Sequence, residues 1–246
     1  MREPHLSLVI PVYNAAPFLR QSLLLASAFV ERQPYSCEVV VSDDGSNDGS
    51  AEILAELSGR VRTVIGQRHR GKGNALREGV FAAAGRFVVF TDADLPYGLD
   101  AVALLVRQLE EQHFDLVVGS RDIRHPPADS QPPWSRRIAS RTFASLVAHV
   151  VPTGVADTQC GLKGFRQPVA RYLFARSRID GFAFDVEVLS IAHAKGLRLG
   201  KLPLEPIKKR YSTVRLLRDA LHMSLDVARI RRNHRLDRYR LDDELT

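Results

Sequence analysis

The sequence predicts an α/β fold: a mostly parallel central sheet with helices on both faces, followed by a basic helical C-terminal extension. Three observations predict it. Short apolar, β-branched runs alternate with helix-length segments between Leu6 and Phe90 in the order β-α-β-α-β-α-β, the spacing of parallel strands joined by crossover helices. A dense cluster of turn and cap residues, Asp43 to Gly49, closes one of those runs where a strand must hand over to a helix. The chain has 246 residues, 45% hydrophobic and 26% charged, which suits one sizeable globular core and excludes disordered or collagen-like classes.

Leu6 to Val12 reads as a buried strand running into Tyr13-Asn14, and Ala16 to Arg32 as the helix after it. Glu38 to Ser42 is a second strand, and Ser50 to Ser58 a second helix. Arg62 to Ile65 is a third strand. A Gly-rich loop, Gly71-Lys72-Gly73, then leads into a helix through Ala84 and a strand, Arg86 to Phe90, that delivers Thr91-Asp92-Ala93-Asp94. Beyond it come a helix from Ala101 to Gln112 and a strand from Leu116 to Gly119 that ends in Ser120-Arg121. Arg124 to Pro133 is loop-like and Trp134 to Val150 helical. Asp157 to Phe165 is a polar Gly-containing segment, Gly181 to Lys195 a helix and Leu197 to Pro203 an edge strand. No internal repeat or linker divides the chain, so residues 1–210 read as one domain and 211–246 as its extension.

The net charge of +7 is concentrated at one end: between Ile207 and Arg240 eleven Lys or Arg stand against three Asp. Leu216, Ala220, Met223, Val227 and Ile230 follow helical spacing there, with Arg215, Arg218 and Arg229 between them, which fits either an interfacial membrane helix or a core-packed one. The aromatics of that stretch are only Tyr211 and Tyr239, a poor set for stacking on nucleic acid. No 18-residue apolar stretch and no secretory hydrophobic segment occurs, so the expected location is cytoplasmic, peripheral on the cytoplasmic face of a membrane. Cys37 and Cys160 lack metal-ligand spacing.

Ligands of such sheets bind outside the carboxyl ends of the strands. Three loops fall there: the one after Val12, the Asp43-Asp44 loop and the Asp92-Asp94 loop. Paired carboxylates at a strand end suit a hard divalent cation, Mg²⁺ or Mn²⁺, held against a diphosphate, so Asp92 and Asp94 are the candidate metal ligands. Asp43 or Asp44 can accept from a base N–H or ribose hydroxyl, or else close an Asx turn. Gly66-x-x-x-x-Gly71-Lys72 fits most of a Walker A loop, but Gly73 stands where Ser or Thr must ligate Mg²⁺. The better reading is a loop in which Lys72 and backbone amides approach the donor or its phosphates. Arg121, Arg124, Arg136 and Arg137 are candidates for an acceptor phosphate, with Arg121 foremost because it follows a strand end.

Val9-Ile10-Pro11-Val12-Tyr13-Asn14, Ser42-Asp43-Asp44-Gly45-Ser46, Gly71 to Arg77 and Asp92-Ala93-Asp94 together resemble the family 2 inverting glycosyltransferases of the GT-A, Rossmann-like fold. Asp157 to Phe165 and Asp180 to Glu187 resemble the dolichyl-phosphate β-glucosyltransferase branch. The resemblance implies Pro11 and Tyr13 as the wall against the donor base, with Asn14 beside them. It implies Asp92 at the ribose and metal, Asp94 at the metal, and Gln159, Lys163, Asp185 and Glu187 near the reacting sugar. Asp185 and Glu187 lie two apart on a helix, so at most one faces the site. Ala15 and Pro96 depart from the family pattern and remove a polar contact and a metal ligand.

The implied reaction is transfer of a hexose, glucose from UDP-glucose, to a polyprenyl phosphate. A phosphate monoester is largely ionised near neutral pH and needs positioning more than a base. The catalytic expectations are therefore Asp94, Asp185 and Arg121. Donor contacts are expected from Pro11, Tyr13, Asn14, Asp43, Asp44, Lys72 and Asp92, and acceptor contacts from Arg121, Arg136, Gln159 and Lys163. Two alternatives stay open: a soluble hydroxyl acceptor with Asp185 or Glu187 as base, and a basic module that binds nucleic acid through Ile207 to Arg240.

Overall fold

A computed structural model describes residues 3–121, 147, 155, 157–205, 207 and 216–240, with 216–221 described by their backbone. The elements in order are β1 (Leu6–Val12), α1 (Ala16–Glu31), β2 (Cys37–Asp43), α2 (Ser50–Glu56), β3 (Arg62–Ile65), α3 (Lys72–Ala82), β4 (Phe87–Phe90), α4 (Asp100–Glu111) and β5 (Leu116–Arg121). After the undescribed stretch come β6 (Lys163–Arg166), α5 (Gln167–Arg176), α6 (Phe184–Ala194), β7 (Leu199–Leu204) and α7 (Leu216–Arg235). The seven strands form one sheet in the order β3-β2-β1-β4-β6-β5-β7. All neighbours are parallel except β6, which runs antiparallel to both β4 and β5.

The inner strands are buried on both faces, while the edge strands β3 and β7 are partly exposed. Along β1, Leu6, Leu8, Ile10 and Val12 pack toward α1, α2 and α4, while Val9 packs toward α3; along β4, Phe87 and Val89 face the first layer and Val88 and Phe90 the second. That period of two is why these strands read as continuous apolar runs rather than alternating ones. The expected α/β class and mostly parallel sheet are observed, with β7 at the edge beside β5.

Two elements were not anticipated. Asp157 to Phe165, expected as a polar segment, contains β6, which pairs Phe90 with Lys163 and Val118 with the same residue on its other side. The strand is four residues long, includes Gly164 and opens on a lysine, so it carries no local strand signal. Helix α5, which begins with Pro168 in its first turn, was also missed. The Gly71-Lys72-Gly73 loop is a helix start: Gly71 is the N-cap of α3, and Lys72 and Gly73 are already helical.

One face of helix α7 packs in the core among the described side chains. Val227 and Ile230 are buried in the layer formed with α6, Met223 packs against it, and Tyr239 just beyond the helix is buried as well. Each such aliphatic side chain contributes roughly 1.5–3 kcal/mol by burial. Leu216, Leu217, Ala220, Leu221, Arg215 and Arg218 lie outside the described side chains. The expected helix from Trp134 to Val150 also lies outside the described residues, apart from Val147.

Candidate active site

The loops after β1 and β2 are tied to each other before they meet any ligand. Ala15 and Ala16 begin α1 with amides that need partners, and they donate to Ser50 Oγ at 3.1 Å and Asp48 Oδ2 at 2.9 Å. Asn14, at a positive φ of 49°, donates its amide to Ser46 Oγ and accepts from the Asn47 amide at 2.9 Å. Its side chain therefore holds a loop, a correction to the expected donor contact. Asp43 accepts from the Ser46 amide and hydroxyl, the Asx-turn role.

Asp44 does something different. Only 3% exposed, it accepts from the Arg70 amide at 3.1 Å and the Gly71 amide at 2.6 Å, and His69 Nδ1 lies 2.7 Å from its Oδ2. The His69 imidazole in turn stacks on Tyr13, with ring centroids 3.7 Å apart and planes at 19°. Pro11 is buried in β1 opposite Ser42. Beside Asp44 opens a cleft of about 280 Å³, lined by Asp43, Gly66, Arg68, Arg70 and Asn74 among others. Sequence reasoning missed His69, which belongs to no motif and is recognisable only by its stacking partner.

The glycines around Lys72 serve packing rather than phosphate binding. A Cβ on Gly71 would come within 2.4 Å of the Asp180 carbonyl oxygen, and one on Gly73 within 2.5 Å of the Ile179 carbonyl oxygen. The Gly73 and Asn74 amides donate to the Asp180 carbonyl at 2.7 and 3.3 Å, and the Gly71 amide is held by Asp44. Those amides have partners within the protein, so the expected backbone cradle for phosphate is corrected; the Lys72 side chain is what α3 sends to the rim. Arg77 supports this arrangement through Asp180 Oδ1 at 2.7 Å.

Lys72 Nζ sits 2.5 Å from Asp92 Oδ1. Adjacent residues thus reach the two carboxylate loops, Gly71 at Asp44 and Lys72 at Asp92, so both loops face one rim of the sheet. Asp92 and Asp94 are both half-buried at the carboxyl end of β4. Gly161 lies against Asp92 so closely that a Cβ there would fall 2.0 Å from Oδ2.

Behind Asp92 the charges continue inward. Lys163 is fully buried, and its Nζ donates to Asp185 Oδ1 at 2.5 Å and to the Cys160 carbonyl at 2.7 Å. Burial pushes the Asp185 carboxyl above its ordinary range, and Asp92 adds to that, while Lys163 and Lys72 oppose it. Next in the series, Arg121 grips Asp157 through two parallel bonds, Nε to Oδ2 at 2.5 Å and Nη2 to Oδ1 at 2.7 Å. Burial works against both charges, but their mutual hydrogen bonds and attraction outweigh it: the Asp157 carboxyl is held below its usual range and the guanidinium is raised further. Arg121, Asp157, Lys163, Asp185, Lys72 and Asp92 therefore alternate in sign from the end of β5 to the end of β4.

This series corrects two expectations and narrows a third. Lys163 has no exposure through which to meet an acceptor phosphate; it holds Asp185. Asp185, 3% exposed, lies beneath the site as a positioning group. Arg121 presents Nε and Nη2 to Asp157, which leaves its Nη1 edge for a ligand. Glu187 faces away, as the two-residue offset requires: it accepts from the Arg178 and Ile179 amides at 2.8 Å and from the Tyr239 hydroxyl at 2.8 Å. Gln159 has a buried amide nitrogen with no hydrogen-bond partner among the described residues, between Asp157 and Gly161 in the chain. Cys160 is buried and both cysteines are free. Arg124, Arg136 and Arg137 lie outside the described residues.

Comparison with known proteins agrees with this geometry. The model of glycosyl transferase family 2 matches residues 7–174. A dolichyl-phosphate beta-glucosyltransferase of Drosophila melanogaster is 31% identical over 225 residues, covering 85% of this chain and 67% of that protein. One of Dictyostelium discoideum is 27% identical over 241 residues, covering 92% and 74%. Among solved structures, the glucosyl-3-phosphoglycerate synthase of Mycobacterium tuberculosis in complex with Mn²⁺, uridine diphosphate and glucosyl-3-phosphoglycerate superposes with a TM-score of 0.65 at 19% identity. That match covers 98% of this chain and 82% of the synthase, a likeness of fold.

Proposed function

The chain belongs to glycosyl transferase family 2, and from that premise we propose that it moves glucose from UDP-glucose to the phosphate of a dolichyl-type polyprenyl lipid with inversion. The supporting observation is that Gly71 and Lys72 place the Asp44 and Asp92 loops on one rim, with an aromatic wall at Tyr13. Relatives named for dolichyl-phosphate glucosyl transfer support the acceptor, and the fold relative bound to uridine diphosphate and Mn²⁺ supports the donor class.

In this reading the base stacks at Tyr13 and donates to Asp44. The residues fit a divalent cation: Asp92 and Asp94 offer hard oxygen ligands, and Asp92 already draws an ammonium to 2.5 Å. No third His, Cys, Asp or Glu completes a cluster with them among the described residues. When bound, Mg²⁺ or Mn²⁺ neutralises charge that builds on the departing diphosphate. Lys72 adds a positive charge at the same place, and the buried Lys163–Asp185 pair holds the floor beneath it. An acceptor phosphate oxygen forms the new bond to the anomeric carbon as the bond to the diphosphate breaks, and the nucleoside diphosphate leaves with that electron pair.

A hydroxyl acceptor would require a base at the surface. Asp185 is buried against Lys163 and Glu187 faces α7, which favours an acceptor that arrives ionised. The free edge of Arg121 and the unpartnered Gln159 amide are the groups assigned to hold it. No helix among the described residues is long and apolar enough to cross a membrane. The exposed side of α7, with Arg229, Arg231, Arg232, Arg235 and Leu225, is assigned to the cytoplasmic membrane surface, where the lipid phosphate lies.

The test is direct. Purified protein incubated with Mn²⁺, UDP-glucose and a short-chain polyprenyl phosphate is expected to yield an organic-extractable lipid-linked glucose. No such product with UDP-, GDP- or dTDP-hexoses would overturn the proposal.

A further inference from the structure

We infer that His69 is an internal competitor of the donor base: its imidazole occupies the base position in the ligand-free enzyme, and the incoming base displaces it. The inference rests on the donor reading above and concerns a residue outside every motif.

A carboxylate oxygen accepts two strong hydrogen bonds. Asp44 Oδ2 takes the Gly71 amide at 2.6 Å and the Arg70 amide at 3.2 Å, and Oδ1 shares the Arg70 amide at 3.1 Å; His69 Nδ1 stands 2.7 Å from Oδ2 as an ion-pair contact beside them. Both amides belong to a backbone that cannot leave: Gly66 donates to the Asp43 carbonyl at 2.7 Å, and Gly73, two residues past Gly71, to the Asp180 carbonyl. Gly45, at φ +75°, lets the same loop lie directly on the β2 turn, since a Cβ there would be 2.7 Å from the Arg68 carbonyl carbon and 2.9 Å from the His69 amide nitrogen. Among the described residues the imidazole is the contact on Asp44 Oδ2 that a side-chain rotation can remove.

Its stacking makes the same point. A centroid separation of 3.7 Å leaves no room for another ring between His69 and Tyr13. A flat ring whose edge nitrogen reaches Asp44 while its face covers Tyr13 describes a bound base, and it also describes His69 as found. A base that makes both contacts takes over both from the imidazole. His69 is half exposed, so it has solvent to swing into. The arrangement adds an ion-pair contact to a carboxylate that the Arg70 and Gly71 amides already hold when no donor is present. It also subtracts the lost imidazole contacts from donor affinity.

Calorimetric titration of the full chain with UDP and Mn²⁺ tests this without turnover. His69→Ala is expected to bind UDP about 10-fold more tightly, the scale of one partly exposed ion pair together with one ring stack. His69→Phe, which retains the stack and loses the ion pair, is expected to fall between His69→Ala and the wild type. Equal or weaker UDP binding by His69→Ala, with the melting temperature retained, overturns the inference and leaves the donor reading standing. If the wild type binds none of UDP, GDP or dTDP, the donor reading falls, and this inference with it.

Discussion

The two halves of the rim are built from different materials. On the β1–β2–β3 side, side chains are held by backbone amides: Asp43 by Ser46, Asp44 by Arg70 and Gly71, Asn14 by Asn47. On the β4–β6–β5 side, side chains hold one another in a series of opposite charges from Arg121 to Asp92. Amide-held carboxylates keep their places when a neighbouring side chain moves, which suits a slot that must exchange one ring for another. A charge series has no such tolerance, because removing one member leaves its neighbours buried and unpaired. The first half is suited to admitting a ligand and the second to fixing the geometry around a reacting centre.

Substitutions that break the second half have the largest expected effects. Asp94→Ala is expected to lower kcat by about 10³-fold, the scale of lost electrostatic stabilisation of a transition state, with little change in melting temperature. Retained turnover in a steady-state assay would remove the metal assignment. Lys163→Met leaves Asp185 without its ammonium at the centre of the series. It is expected to cost about 3–5 kcal/mol in urea unfolding, against less than about 1 kcal/mol for His69→Ala in the amide-held half. Equal losses at the two positions would erase the distinction between the halves. Gly73→Ala, which drives a methyl group against the Ile179 carbonyl and Phe184 Cβ, is expected to cost about 1–3 kcal/mol and to weaken donor binding, since it shifts the helix start that carries Lys72.

The smallest effect sharpens the comparison through pH. The Asp157 carboxyl is lowered overall: burial raises it, but Arg121 more than offsets that. Its contribution is present at neutral pH and is lost as pH falls through the folded value, below the unfolded value of about 3.9. Glu187 has the opposite sign, since burial raises its carboxyl despite the amides and Tyr239 that oppose this. The folded state then binds the proton more tightly, so that contribution is full below the unfolded value of about 4.3 and is lost as pH rises through the folded one. Glu187→Gln is therefore expected to flatten the fall in stability on raising pH from about 4 toward 8, measured as melting temperature, while leaving the acid loss governed by Asp157. An unchanged profile would remove Glu187 as its source.

Much of the first half was legible in the sequence. Leu6–Val12 and Arg62–Ile65 have the boundaries read from local pattern, and the loops after β1, β2 and β4 fall at the strand ends as expected. The second half was far less so. β6 reads as a polar segment because Lys163 and Gly164 are poor strand residues, and Lys163 is expected at the acceptor only through the family resemblance, which says nothing of its burial. Asn14 and the Gly71–Gly73 amides were assigned to ligand because motif order says nothing about which polar groups the protein satisfies by itself.

By itself the sequence determined the alternation of strands and helices, the turn chemistry that ends β2 and the delivery of Asp92 and Asp94 at a strand end, because periodicity and turn preference act over a few neighbouring residues. Only the tertiary structure decided that β6 inserts antiparallel between β4 and β5, that Lys163 neutralises Asp185, that Arg121 is shared with Asp157, and that His69 lies on Tyr13. Those outcomes depend on which charges and rings the folded chain brings within a few ångströms across more than twenty residues of sequence, and burial then makes each pairing obligatory.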